Sequence, residues 1–358
     1  MNIEKKVKIL ALASGAFLFL ASFSLYLIFS LPKNFAKGHV VAIEDGTGLK
    51  EIASQLSEQK IIKYSETFRL VVQYVFGEKS VKAGDYFFKD SLSVFGVARR
   101  LTKGDYGIEQ IKIVVPEGAT IRNIGFIFEN LGMWQAEEFW EAAGFPAVDY
   151  REIKNFDDLE NPPPPKDFSS ITSLLKDKPA YVSFEGYLFP DTYFFPKNIT
   201  PEGVVIAMLK NFDKKIDEEL RKKIKESGRS FFEILTAASI IEKEASEFSD
   251  RELISGILWK RLKDNMLLQV DAPFVYAVGK NTFQLTKKDL AMDSPYNTYR
   301  YKGLPLGPIA NPGISAIKAA LAPKESPYWY YLSDYDGNVH FSEILKEHKA
   351  KKAEYLGT

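Results

Sequence analysis

The stretch SFFEILTAASIIEKEA, residues 230–245, decides how the C-terminal half of this chain is built. Ser230 followed three residues later by Glu233 is a capping box, in which each side chain satisfies the other's free backbone N–H. A helix is therefore expected to begin there and run on through Glu244. Its residues are small or apolar until Glu242 and Glu244 flank Lys243. At a helical turn of about 100° per residue, the two glutamates project roughly 160° apart and cannot serve one pocket together. A helical side chain leans over the turn before it, so Glu244 rests on Ile240 and Ile241, and Glu242 on Ala238 and Ser239. Two isoleucines disfavour the charged form of Glu244 and raise its pKa, which is what a general acid near neutral pH needs. Glu242, above the Ser239 hydroxyl, is better suited to a structural hydrogen bond or ion pair. The helical wheel pulls the other way, because Glu242 falls nearer the centre of the apolar arc, between Leu235 and Ala238. A third reading makes both glutamates the solvated end of the helix.

Three further segments surround this helix in sequence. FEGYLFPDTYFFP, residues 184–196, sets Glu185 and Asp191 among aromatics. Such a mixture suits a pyranose ring, with its apolar faces and hydroxyl edges, and equally suits an ordinary core strand. LLQVDAPFVYAVG, residues 267–279, puts Gln269 and Asp271 on one side of an alternating segment. DSPYNTYRYKGLPLGPIANPGISAIKAALAP, residues 293–323, has too many Pro and Gly residues for regular structure before its final helix. Tyr296, Asn297, Thr298, Tyr299 and Asn311 are its candidates to line a groove for a hydroxyl-rich ligand; the alternative is a stiffened exposed crossing.

The N-terminal part has a different character. Residues 9–31 carry no charge, and a helix of that length, at about 1.5 Å per residue, crosses a hydrocarbon core of about 30 Å. Pro32 and Lys33 mark its outer end, while Lys5, Lys6 and Lys8 precede it, a bias that places the N-terminus in the cytoplasm. Beyond it, GTGLKEIASQL from Gly46 and GATIRNIGFIF from Gly118 share a glycine followed by apolar residues on one helical face: Leu49, Ile52 and Leu56 against Ile121, Ile124 and Phe128. A strand-like alternation precedes each copy, and AGDYFF, residues 83–88, reads as a strand between them. The repeat is either a generic α/β unit or a glycan-binding module of LysM type. DDLENPPPPK, residues 157–166, cannot continue a helix and reads as a linker or an exposed loop.

Composition excludes several classes. Lys plus Arg and Asp plus Glu both total 47, so no overall field draws in nucleic acid. There is no Cys, which removes disulfides, thiolate nucleophiles and Cys-ligated zinc. His39, His340 and His348 lack metal-ligand spacing, so no metal site is expected. No G-x-S-x-G nucleophile elbow occurs.

Four segments, EGYLFPDTY at 185–193, ASIIEKEA at 238–245, LQVDAPFVYAVG at 268–279 and SPYNTYRYKGLPLGPIANPG at 294–313, stand in this order behind an apolar N-terminus. In that combination the chain resembles the endolytic murein transglycosylases, the MltG or YceG-like family. The resemblance implies an α+β fold with a single N-terminal transmembrane helix at 9–31 after a cytoplasmic residue 1–8 segment. A LysM-like α/β module at 38–150, a linker at 151–180 and a mixed α+β catalytic domain at 181–358 would follow. It implies Glu244 as the catalytic acid/base, and it suggests Glu185, Asp191, Ser239, Glu242, Gln269, Asp271, Tyr296, Asn297, Thr298, Tyr299 and Asn311 as substrate-binding residues. The implied reaction cleaves peptidoglycan strands without water, leaving 1,6-anhydro-N-acetylmuramic ends, and uses no cofactor. The implied partners are glycan strands, the lipid bilayer of a bacterial plasma membrane and peptidoglycan synthases of the elongation machinery. The competing reading is a non-catalytic, membrane-anchored cell-wall binding or scaffold protein.

Overall fold

The computed structural model describes residues 3–107, 110–156, 158, 160–279, 286 and 291–357, with the side chains of residues 3–11 and 13 outside that description. The chain divides into two compact units, Met1–Gln110 and Ile111–Thr358.

In the first unit, helix α1 spans Ile3–Phe29. Among the described residues no helix is long and apolar enough to cross a membrane. The part of α1 described with all its side chains, residues 14–29, is about 24 Å long, short of a hydrocarbon core of about 30 Å. The side chains of residues 9–11 and 13 of the expected span at 9–31 thus lie outside the description. Strand β1, His39–Ile43, pairs antiparallel with β2, Gly84–Phe88, so that Val41 stands opposite Tyr86. Helices α2, Leu49–Glu58, and α3, Ser65–Val71, lie between them in the chain. A π-helical turn, Val72–Phe76, extends α3 and stops at Gly77, where φ is +96°. Helix α4, Val94–Lys103, starts where the Ser93 hydroxyl accepts from the Gly96 amide at 3.2 Å and ends at Gly104 in the left-handed region. The apolar faces meet in a core of Val41, Leu56, Phe68, Tyr86, Phe88 and Leu101, each fully buried. Burying a large apolar side chain contributes about 1.5–3 kcal/mol, so this small unit carries a core of its own. The buried Tyr86 hydroxyl shares its one proton between the carbonyls of Lys82 and Leu101.

The second copy of the repeat falls in the other unit. Strand β3, Gln110–Val114, pairs with β4, Thr192–Pro196, and helix α5, Ile121–Asn130, follows β3. A single module at 38–150 holding both copies is therefore not how the chain divides. The reason is the apolar face of α5: Ile121, Ile124 and Phe128 join the core of the second unit, and the Phe128 ring lies 5.9 Å from Phe195. Helix α6, Ala136–Ala143, packs on α5. The expected linker is built into the same core, because Phe168, Leu174 and Leu175 are buried beside a 3-10 turn at Ser173–Leu175. The aromatic stretch at 184–196 also takes its core reading, with Phe184, Tyr187, Phe189, Tyr193 and Phe195 all buried.

Helices α7, Pro201–Lys215, and α8, Glu218–Glu226, lead into α9, Phe231–Glu244. The capping box that starts α9 is present: Ser230 accepts from the Glu233 amide at 3.2 Å, and Glu233 accepts from the Ser230 amide at 2.9 Å. Residues 234–241 are all buried, so α9 is enclosed on every side and is the central helix of this unit. It packs against α10, Phe248–Lys263, and α12, Ile314–Leu321, with α11, Asp271–Val278, near its end. A hairpin of β5, Tyr330–Ser333, and β6, Val339–Ser342, and a last helix α13, Leu345–Leu356, complete the unit.

The alternating reading of 267–279 gives way to a helix. Gln269 takes a left-handed φ of +51° and turns the chain, and the Thr298 hydroxyl then receives the Val270 amide at 3.0 Å. Pro273 is tolerated because the first turn of a helix has no intrahelical acceptor for its N–H groups.

Candidate active site

A cleft of about 1230 Å³ opens in the second unit, and the end of α9 forms part of its wall. Two of the implied roles separate here along the helix. Glu242 is held by Arg251 of α10 at 2.7 Å, with 6% and 7% of the two side chains exposed, and also accepts from the Gly313 amide at 2.9 Å. It has the ion pair that the serine-lined position suggested, and its oxygens are occupied. Burial pushes its pKa up, while Gly313 and Arg251 oppose that shift. Arg251 also donates from Nε to the Ala245 carbonyl at 2.8 Å, so one guanidinium fixes both Glu242 and the last turn of α9.

Glu244 is partly open to the cleft, yet protein crowds its carboxyl. Burial, then the charge of Asp271, raise its pKa to about 7, against a smaller opposing effect from the Tyr331 hydroxyl. Asp271, the first residue of α11, accepts from the Tyr299 hydroxyl at 2.5 Å. Lys243 also lines the cleft; burial lowers its pKa, opposed by Glu185 and Glu242.

Of the residues expected to touch substrate, Glu242, Gln269, Asp271 and Tyr299 reach the cleft with Glu244. The others are not among the residues that line it. Glu185 is buried, accepts the Ile121 amide on both oxygens at 3.0 Å and takes Asn311 Nδ2 at 2.8 Å. An anion at the first amide of α5 complements the helix dipole. Burial nonetheless raises the Glu185 pKa to about 7. Asn311 also donates to the Ala119 carbonyl and accepts the Leu188 amide, both at 2.9 Å, so it clamps three segments distant in sequence. Asp191 pairs with Lys215 at 2.9 Å and with Asn211 at 3.0 Å, and the Lys215 bond is first among the causes that lower its pKa. Ser239 donates to the Thr236 carbonyl and receives the Ile309 amide at 3.0 Å. Thr298 bridges Val270 through both of its backbone groups. Asn297 receives the Tyr299 amide at 3.1 Å, and Tyr296 stacks edge-on against Tyr276. These side chains do not line the cleft, and most of their polar atoms are held in hydrogen bonds within the protein.

The remaining wall comes from residues that the sequence did not single out. Thr120, Arg122 and Asn123 enter from the start of α5, and Tyr330, Tyr331, His348 and Lys352 from the C-terminal hairpin and α13. Arg261 of α10 donates to the Leu268 carbonyl at 2.6 Å and to the Trp329 carbonyl at 2.6 Å, tying the turn before Asp271 to the strand that carries Tyr331. No local pattern announces such a tie, because Arg261 and Trp329 are 68 residues apart. Among the described residues no group of three or more His, Asp or Glu is placed to hold a metal ion. What the cleft offers is a carboxyl able to hold a proton near neutrality and return it, among tyrosines suited to stacking on sugar rings.

A profile described as the YceG-like family matches residues 41–354. A protein of Bacillus subtilis (strain 168) named endolytic murein transglycosylase is 33% identical over 319 residues, covering 89% of this chain and 85% of its own length. A protein of the same name from Streptococcus pneumoniae serotype 2 is 29% identical over 362 residues, covering 98% of this chain and 64% of its own. The crystal structure of a yceG-like protein from Listeria monocytogenes superposes with a TM-score of 0.56 at 32% identity, covering 88% of this chain and 99% of that one.

Proposed function

The chain belongs to the YceG-like family, and on that premise we propose that it is an endolytic peptidoglycan lytic transglycosylase with Glu244 as its acid/base. The observation that carries the reading is a single one: a carboxyl in the large cleft of the second unit whose burial brings its pKa to about 7. A group so poised is protonated often enough to act as an acid and basic enough to act as a base afterwards.

In the proposed cycle, Glu244 donates its proton to the oxygen linking C1 of N-acetylmuramic acid to the next sugar. The C1–O bond breaks and the departing sugar leaves as an alcohol. The substrate's own N-acetyl oxygen stabilises the cationic C1, as in substrate-assisted glycosidases that dispense with a second carboxylate. The Glu244 carboxylate then takes the proton of the C6 hydroxyl, and O6 bonds to C1 to close the 1,6-anhydro ring. The acid is restored and no water is consumed.

The finer parts of the proposal rest on further features. Residues 9–31, charge-free and flanked by Lys5, Lys6 and Lys8, support a bilayer anchor with the N-terminus cytoplasmic and the remainder outside a bacterial plasma membrane. The strand–helix–helix–strand order of the first unit supports reading it as a LysM-like glycan-binding module. An anchored enzyme cutting within strands fits release of new glycan or control of its length, beside the synthases that make it.

The test is product chemistry. Purified protein incubated with un-crosslinked glycan should yield anhydro-ended fragments by mass spectrometry, and Glu244→Gln should leave the strands whole. Products heavier by one water would make the protein a hydrolase. Strands left intact by the unaltered protein would make it a binding module.

A further inference from the structure

The hydroxyl of Tyr331 is buried in the cleft wall and meets no hydrogen-bond partner among the described residues. A buried O–H left in that state costs stability, and native structures keep few of them. Its position is well fixed. Tyr331 sits in β5 opposite Phe341 of β6. The strand is held to the end of α9 by the Ser333 hydroxyl, which donates to the Glu244 carbonyl at 3.3 Å, and to α10 by Arg261 through the Trp329 carbonyl.

The acceptor that the hydroxyl faces is the Glu244 carboxyl. The other charged or titratable groups around this point are Asp271 from α11, Tyr299 from the following loop and Arg261 from α10. His348 and Lys352 of α13 line the same cleft. Tyr299 has already committed its proton to Asp271, and Arg261 has committed its guanidinium to backbone carbonyls. Tyr331 is the side-chain donor that acts on the Glu244 carboxyl.

Resting on the acid/base reading of Glu244, we infer that Tyr331 is a positioning residue whose hydroxyl donates to the Glu244 carboxylate that exists only between the two proton transfers. The two halves of the cycle make opposite demands. Before the first transfer the carboxyl must hold its proton, and the neighbouring Asp271 charge favours that. Afterwards a bare carboxylate beside Asp271 has to persist until the C6 hydroxyl arrives. A hydrogen bond from Tyr331 to one oxygen stabilises it then, and leaves the other oxygen free to accept the C6 proton. A donor that closes on its acceptor only in that interval is held near it, without a well-formed hydrogen bond, in the resting protein.

The experiment is Tyr331→Phe in the full chain, assayed on un-crosslinked glycan beside Glu244→Gln. Since the resting hydroxyl makes no well-formed hydrogen bond, the melting temperature should change little. The kcat should fall about tenfold to a hundredfold, as expected for one hydrogen bond to a charged group, with KM little altered. Removing a donor to the carboxylate raises the Glu244 pKa, so the basic limb of the kcat–pH profile should move to higher pH. A kcat within about twofold of the parent with an unmoved limb overturns the inference. So does a drop in melting temperature that accounts for the lost activity while the limb stays in place. If Glu244→Gln still cuts, the acid/base reading fails and this inference falls with it; an inactive Glu244→Gln beside an unaffected Tyr331→Phe refutes the inference alone.

Discussion

Glutamine substitutions at the two acids ending α9 should move stability in opposite directions, although the positions are two residues apart. Glu242 is one half of a buried ion pair with Arg251 at 2.7 Å and also receives the Gly313 amide. Taking one partner from such a pair costs about 3–5 kcal/mol, because the other charge stays buried without compensation. Arg251→Ala should show that full loss. Glu242→Gln keeps an oxygen acceptor, and Arg251 keeps its bond to Ala245, so about 2–3 kcal/mol is expected. Glu244 is the reverse case. Its pKa rises from 4.5 to about 7, so the folded protein binds this proton more tightly than the unfolded chain does. The stability tied to that proton is fully present below about pH 4.5 and is lost as pH rises through about 7. The interval converts to about 3 kcal/mol, an upper figure because the side chain still meets water in the cleft. Glu244→Gln, which cannot ionise, should therefore exceed the parent by up to about 3 kcal/mol at pH 8, and the gap should shrink below about 1 kcal/mol at pH 5. Urea unfolding of the full chain followed by tryptophan fluorescence measures this directly, since Trp134, Trp140, Trp259 and Trp329 all lie in the second unit. A Glu244→Gln protein less stable than the parent at pH 8, or a Glu242→Gln protein more stable, would refute the division of roles.

Two further outcomes test the frame around the cleft. Glu185→Ala should cost about 2–4 kcal/mol, because the first amide of α5 loses its acceptor and Asn311 loses one of its own, whereas Glu185→Gln should stay within about 1 kcal/mol. Thermal melts check the stability, and a raised KM for the Ala variant would follow from a loosened α5, which brings Thr120, Arg122 and Asn123 to the cleft. Gly256→Ala should lose about 2 kcal/mol or more despite alanine's better helix propensity, because its Cβ would lie 2.0 Å from the Lys324 carbonyl oxygen and backbone cannot step aside. A denaturation midpoint at or above that of the parent would show that the close approach is not real.

What the sequence disclosed about this molecule was local. The capping box at Ser230 and Glu233, the enclosed helix after it and the different ground beneath Glu242 and Glu244 follow from spacings of three and four residues. The groove did not. Asn311 read as a ligand contact because polar residues in a Pro- and Gly-rich setting usually face solvent, and Glu185 because a carboxylate among aromatics suits a sugar ring. Their partners, 126 residues apart, make them braces instead. The helix at Asp271–Val278 was hidden by one left-handed residue, Gln269, which breaks the alternation that the side chains suggest. Tyr331 had no signal at all. Its meaning comes from a hairpin that returns beside α9 some 87 residues after Glu244, and no periodicity reaches so far.

That return of the C-terminal hairpin has a consequence for biosynthesis. A ribosome delivers α9 well before β5 and α13 exist, and in that interval Glu244 lacks the side of the cleft that buries it. An unshielded glutamate sheds its proton at ordinary acidity and makes a poor proton donor at neutral pH. On the proposed acid/base reading, a chain that lacks β5 and α13 therefore lacks the shielding that Glu244 needs to hold its proton near neutrality.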